Sequence, residues 1–226
     1  MAEIQNLVPD TSGDGAAGNA DVVIHAALGT PYERFLATLP DGAKGDLIDG
    51  TLHIDMSTSS LHEDLNVLLA AVMRIYADHR GLGKILGSRT TMKVDDENGY
   101  QPDVLFIRQD RLSILKAHDV DAPVDLAVEI VSKWSGKRDR ETKLEGYQRV
   151  GVPEYWLIDP IRGEARFYRL EGEPYQSGGT YRAVSLTDGI YESAALPGFR
   201  LDPAVLFADP LPSAYGLLRD LLGDAA

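Results

Sequence analysis

Two carboxylates set inside apolar segments are the residues best placed to do chemistry. Asp103 follows Gln101-Pro102 and opens the run Val104-Leu105-Phe106-Ile107, and Glu129 interrupts Leu126-Ala127-Val128 and Ile130-Val131. A carboxylate in an apolar strand is costly unless it is paired or ligates a cation. Two of them in neighbouring strands repel at close range, which a hard divalent cation such as Mg²⁺, or Mn²⁺, resolves. The plain alternatives are that Asp103 caps a turn after Pro102 and that Glu129 forms an ordinary ion pair with Arg138 or Lys143. Taken singly, each acid favours its alternative. The cation reading gains only when the pair is joined to the helix that follows.

On that helix Asp139, Lys143 and Tyr147 are spaced by four and so share a face. Lys143 can neutralise charge on a phosphate or orient an attacking water, with Asp139 holding it in place. From spacing alone, however, an exposed Asp-Lys pair of small energetic worth describes these residues better. Charge adds information. Between Lys133 and Arg149 six bases (Lys133, Lys137, Arg138, Arg140, Lys143, Arg149) and three acids (Asp139, Glu141, Glu145) leave a local charge of +3. With Trp134 in the preceding loop, Lys133, Lys137, Arg138 and Arg140 form the candidate surface for a phosphate backbone, a solvated helix face being the alternative. His62 opens the long helix and can face the same cleft, although a lone histidine there more often caps or packs. Asp46 and Glu33 are candidates for a further acidic group.

The elements that must position these residues follow from capping and periodicity. Thr30 reads as an N-cap, with Pro31 at the first helical position and Glu33 completing a capping box. Leu47 to Ile54 reads as a hairpin turning at Asp49-Gly50. Leu61, Leu65, Leu68, Leu69, Val72, Met73 and Tyr76 recur at helical spacing, which predicts a helix capped by Ser59 or Ser60 that runs to about His79 and stops at Gly81-Leu82-Gly83. Strands are expected at 84–86, 90–94, 103–108, 124–132, 154–158, 165–170 and 181–186. The near-continuous apolar character of 124–132 suits a central strand covered on both faces. Residues 111–121 read as a connector that can hold a short helix, 136–150 as a helix, Leu196-Pro197-Gly198-Phe199 as the start of a tail, and 214–222 as a short terminal helix. The fold class is α/β (α+β), with a mixed sheet flanked by helices. Residues 1–28, rich in Gly, Ala, Asp and Ser, read as a mobile arm; 29–210 form the domain and 211–226 a helical tail.

Composition narrows the partners. With 226 residues, 44% hydrophobic, the chain can build one sizeable core. It has no cysteine, so disulfides and thiolate metal sites are excluded. No apolar run approaches the about 20 residues that span a bilayer, and the first residues lack a signal-peptide pattern, so a cytoplasmic location is expected. A net charge of −13 disfavours tight, non-specific binding of nucleic acid. Missing motifs disfavour acyl hydrolysis, P-loop chemistry, dinucleotide binding and zinc proteolysis. Apolar residues in the late strands and tail make a homodimer reasonable.

The succession Pro102-Asp103, Glu129-Ile130-Val131-Ser132, Asp139-x-x-x-Lys143-x-x-x-Tyr147 and Gly151-Val152-Pro153-Glu154-Tyr155-Trp156-Leu157-Ile158-Asp159-Pro160 resembles the Uma-type endonuclease family of the restriction-endonuclease-like PD-(D/E)XK superfamily. The resemblance extends to Asp46-Leu47-Ile48-Asp49-Gly50, to His62 and to Leu196-Pro197-Gly198-Phe199, covering about residues 30 to 207. It implies a metal-dependent nuclease core that cleaves nucleic acid, DNA by preference. Asp103, Glu129 and the carbonyl of Ile130 or Val131 would hold Mg²⁺. Catalysis would fall to Asp103, Glu129 and Lys143, supported by Asp139, Tyr147 and His62. Two departures stand out. Val131 replaces the lysine of the Glu-x-Lys triplet, which makes Lys143 resemble a catalytic lysine migrated to the helix, and Asp46 stands where the family tends to glutamate. A non-enzymatic binding or regulatory module, and an enzyme acting on a smaller phosphate ester, stay open on the sequence.

Overall fold

A computed structural model describes residues 21–23, 29–40, 43–55, 58–133 and 135–223. Most of the segment read as an arm, and Trp134, lie outside the described residues.

In chain order, β1 (Asp21–Val23) precedes α1 (Pro31–Thr38). The capping box forms as expected: Thr30 Oγ1 accepts from the Glu33 amide at 3.2 Å, and Glu33 Oε2 accepts from the Thr30 amide at 2.8 Å. β2 (Gly45–Ile48) and β3 (Thr51–Ile54) make the hairpin, with Asp49 and Gly50 at φ of 48° and 74°. That left-handed pair matches the strand twist, and glycine adopts it without steric cost. β1, expected to belong to a mobile arm, pairs antiparallel with β3. α2 (Ser60–Arg80) starts where the Ser59 hydroxyl accepts from the His62 amide and ends at left-handed Gly81. β4 (Gly83–Gly87), β5 (Thr91–Lys93), β6 (Gly99–Tyr100) and β7 (Val104–Arg108) follow.

The 111–121 connector holds a 3₁₀ turn at Gln109–Ile114 and then β8 (Asp119–Val120), ahead of β9 (Leu126–Ile130). The helix expected over 136–150 forms, but Arg138–Lys143 are π-helical before α3 (Leu144–Val150). A widened turn of this kind re-aims side chains and recurs at functional sites. β10 (Glu154–Asp159), β11 (Glu164–Glu171), β12 (Thr180–Ala183), β13 (Tyr191–Glu192), β14 (Arg200–Leu201) and α4 (Ala214–Leu222) complete the chain. β12 stops before the expected Leu186.

Two six-stranded sheets result. The larger has the order β12-β11-β10-β9-β7-β4, and its β9–β10 pair is parallel among antiparallel neighbours. The smaller runs β1-β3-β2-β6-β5-β8. All five residues of β9 and all six of β10 are buried, so the near-continuous apolar runs mark the sheet centre. Strand alternation divides their side chains. Val104, Phe106, Leu126, Val128, Ile130, Trp156 and Ile158 join Leu65, Leu69, Met73 and Tyr76 of α2 in one core. Leu105, Ile107, Ala127, Val131, Tyr155 and Leu157 join Tyr147 of α3 in the other. Gly146 lets α3 approach β6, since a Cβ there would lie 2.4 Å from the Tyr100 hydroxyl. Among the described residues, no helix is long and apolar enough to cross a membrane.

Leu196-Pro197-Gly198-Phe199 does not begin a tail. Leu196 and Phe199 are fully buried, and the Phe199 ring packs on Tyr76 and Trp156 with centroids 5.3 and 5.9 Å away. Glu154 explains why this segment and Gly151–Pro160 belong together. Its Oε1 accepts from Trp156 Nε1 (2.6 Å), the Tyr191 hydroxyl (2.7 Å) and the Ser193 hydroxyl (2.8 Å). Its Oε2 accepts from the amides of Ala194 and Ala195, both at 2.8 Å. Five donors replace the water that a fully buried carboxylate loses, and they tie the sheet centre to the loop before Leu196. α4 lies where the helical period predicted it, but it packs on the α2 side of the core through Leu218 rather than trailing from it.

Glu154→Ala leaves those donors buried and unmatched. We expect a loss of about 3–5 kcal/mol in urea unfolding, with Glu154→Gln falling between the variant and the wild type. A loss under about 1 kcal/mol would show that the network contributes little.

Candidate active site

Gln101-Pro102-Asp103 is the link by which the chain leaves the smaller sheet at β6 and enters the larger at β7. Gln101 fixes that crossing: its amide donates to Asp46 Oδ1 (2.8 Å), its Oε1 accepts from the Gly45 amide (2.9 Å), and its Nε2 donates to the Thr91 hydroxyl (3.0 Å). Val104 faces Val128 in the register, so Asp103 falls opposite Glu129 at the next step. Asp103 Oδ2 accepts from the Ile130 amide at 2.7 Å, and His62 Nε2 lies 3.4 Å from the same oxygen. The Lys44 ammonium rests on Oδ1. Asp103 therefore does more than cap a turn: it joins β7 to β9 and to the start of α2.

Alternation turns Glu129 toward the face that carries Tyr147. Glu129 Oε1 accepts from the Tyr147 hydroxyl at 2.6 Å and from Lys143 Nζ at 2.9 Å. Lys143 Nζ also lies 2.9 Å from Asp46 Oδ2 and 3.7 Å from Asp139 Oδ1. Its side chain is 1% exposed, so the surface Asp-Lys pair favoured by spacing alone is not what forms. The ammonium is turned toward three carboxylates rather than outward. Arg138 closes the group, with Nε 3.3 Å from Asp46 Oδ2 and Nη2 bonded to Asp55.

Burial and charge act against each other here. Burial pushes the Glu129 carboxyl up to about 8 against the pull of Lys143, and Asp139 and Asp103 add to the rise. Burial also opposes ionisation of Asp103, yet Lys44 and His62 hold its carboxyl well below the usual range. Burial likewise opposes the charge on Lys143, but Asp46, Glu129 and Asp139 raise it well above an ordinary lysine. Asp46 is lowered because Lys143 and Arg138 outweigh its desolvation.

The other expected residues separate. His62 and Asp139 are buried beside the acids. Lys133 and Lys137 are exposed. Arg138 and Arg140 are held by acids of the protein: Arg138 serves Asp46 and Asp55, and Arg140 Nη2 sits 2.5 Å from Asp159 Oδ2. The local charge of +3 is thus partly spent inside the protein. Glu33 is an exposed capping residue, away from the cluster. Asp46, held only as a candidate, is fully buried and central. Lys44 escaped the sequence reading because a lysine next to Asp41-Gly42 reads as a solvated turn residue. A groove of about 440 Å³ passes the end of β9 between Ser59, Val131, Ser132, Lys133 and Ile161.

Among the described residues, no three His, Asp or Glu side chains stand together as a ready cage for a metal ion. Ammonium groups sit on carboxylates of the site: Lys44 on Asp103, and Lys143 on Asp46 and Glu129. The donor chemistry nevertheless fits a hard divalent cation: the acids offer only oxygen, and Asp46 Oδ2 and Asp139 Oδ1 lack an aligned hydrogen-bond partner.

Comparison with known proteins is consistent with this architecture. A crystal structure described as a putative nuclease belonging to DUF820, from Anabaena variabilis, matches with a TM-score of 0.61 at 14% identity, covering 79% of this chain and 99% of that one. At that identity the likeness speaks for the fold alone. No curated protein matches. Residues 32–204 match the Uma2 family, whose description is "putative restriction endonuclease", and this span includes Asp46, His62, Asp103, Glu129 and Lys143. The protein belongs to the Uma2 family.

Proposed function

We propose that this protein is a divalent-metal-dependent endonuclease that hydrolyses phosphodiester bonds of nucleic acid, DNA by preference. The observation that carries the reading is the burial of Asp103, at the entry to β7 and one register step from Glu129 of β9, next to the Glu129 carboxylate that Lys143 meets from the helix. Family membership supports the reaction class. Asp103 and Glu129, with the Ile130 or Val131 carbonyl, would hold Mg²⁺ or Mn²⁺. When bound, the ion supplies Lewis acidity toward the scissile phosphate and lowers the pKa of a coordinated water.

The protein's own groups prepare that chemistry. The Ile130 amide and His62 fix the Asp103 carboxylate. Tyr147 and Lys143 fix Glu129 through a single oxygen, and Lys143 keeps its charge because three acids surround it. Lys143 thus positions Glu129 and favours its ionised form, and Asp46 and Asp139 hold Lys143. The exposed Lys137 and the groove along Ser132 and Lys133 supply the approach for the sugar-phosphate backbone. A non-enzymatic binding module is the second reading. The net charge of −13 and the inward commitment of Arg138 and Arg140 favour it.

Metal titration separates the two readings: a nuclease binds Mg²⁺ or Mn²⁺ at millimolar concentration or below, and a silent calorimetric titration favours the binding module. Asp103→Asn and Glu129→Gln should each lower metal-dependent plasmid cleavage by about 10²-fold or more while circular dichroism stays native. Lys143→Met should lower cleavage and also reduce unfolding stability by about 3–5 kcal/mol, because three buried acids lose their partner. Full cleavage by all three variants refutes the assignment. Lys137→Ala should reduce the slope of log affinity against log salt by about 1 without changing cleavage at saturation.

A further inference from the structure

Four carboxylates, Asp46, Asp103, Glu129 and Asp139, each at most 1% exposed, share the site with the cations Lys44, Arg138 and Lys143 and with His62. The cluster is therefore close to neutral through its own side chains. Adding a divalent ion to that set would leave an excess of positive charge in a region shielded from water, where like charges repel strongly. Positive charge has to leave, as a proton or as a displaced side chain, and the three cations differ in how they are held. Lys143 touches three acids at 1% exposure, and Arg138 is clamped between Asp46 and Asp55. Lys44 alone is bonded to a single carboxylate, Asp103, which is the acid assigned to the metal. Its side chain is 15% exposed against 1% for Lys143 and 10% for Arg138, and it stands just before β2 rather than inside a helix or strand.

We propose that Lys44 is a built-in counter-ion for Asp103 that a divalent cation must displace, so that metal loading swings the Lys44 ammonium out of the site. Lys44 is then a positioning residue with two roles. Without metal it neutralises Asp103 and stabilises the assembled site, and it sets the metal concentration at which the site loads. The two ligands of Asp103 are mutually exclusive, so removing one raises the affinity of the other. This inference rests on the metal-dependent reading above and extends it to how the site is regulated.

Two measurements test it. Calorimetric titration with Mn²⁺ and with Ca²⁺ is run on wild type, Lys44→Gln and Asp103→Asn, with unfolding temperatures taken in EDTA. Lys44→Gln should bind Mn²⁺ about tenfold or more tightly and unfold at a lower temperature in EDTA, and Asp103→Asn should lose binding. The second measurement uses the wild-type protein: amine labelling read by mass spectrometry, with exposed Lys137 as internal reference. Saturating Ca²⁺ should raise labelling of Lys44 several-fold relative to Lys137 while buried Lys143 stays protected. Wild-type metal binding with unchanged or weaker affinity in Lys44→Gln, or with Lys44 labelling that does not rise, overturns the counter-ion role and leaves the nuclease reading standing. No metal binding by wild type or Lys44→Gln overturns both.

Discussion

The Lys143 ammonium, buried among Asp46, Glu129 and Asp139, is the contact on which the site depends. Asp46 comes from the smaller sheet, Glu129 from the centre of the larger one, and Asp139 from the π-helical turn. Each of these acids would be costly to bury alone, and so would the lysine. Together with Arg138, which also reaches Asp46 and Asp55, they tie the two sheets and the helix to one another. The widened turn at Arg138–Lys143 brings Asp139, Arg138 and Lys143 inward at once, and Gly146 then allows α3 to close on Tyr100.

That arrangement gives the acids distinct characters. Asp103 is held ionised by Lys44 and His62, whereas Glu129 is pushed up to about 8 by burial. Carboxylates of unequal basicity opposite one another on neighbouring strands make a site that is sensitive to any added positive charge. The Glu154 network does the corresponding structural work at the other end of the same sheet. It clamps Ser193–Leu196 against β10 and so supports the strand next to Glu129.

Much of the framework was legible in local sequence. The capping box at Thr30, the Asp49-Gly50 hairpin, the Ser59-capped helix and the terminal helix at Ala214–Leu222 follow from turn chemistry, caps and a helical period. These are short-range effects, and they survive folding because the tertiary structure agrees with them. Leu196–Phe199 was misread because a Pro-Gly pair signals a chain leaving the core, and only the distant Glu154, Tyr76 and Trp156 reveal that it enters it. β1 has no local signal for a similar reason, its partner β3 being supplied from elsewhere in the chain.

The sequence by itself determined which residues are expensive to bury: Asp103 and Glu129 within apolar strands, and a lysine and an aspartate one helical turn apart. Local pattern encodes hydrophobic burial, and a charge inside such a run announces that a partner must exist. It did not determine which partner. Lys44 and Asp46 lie 59 and 97 positions from Asp103 and Lys143 in the chain, respectively, and Arg138 looked like surface charge until it was found facing Asp46 and Asp55. Ion pairing across such distances carries no periodic signature, because its geometry is set by how the sheets and the helix pack and not by spacing along the chain.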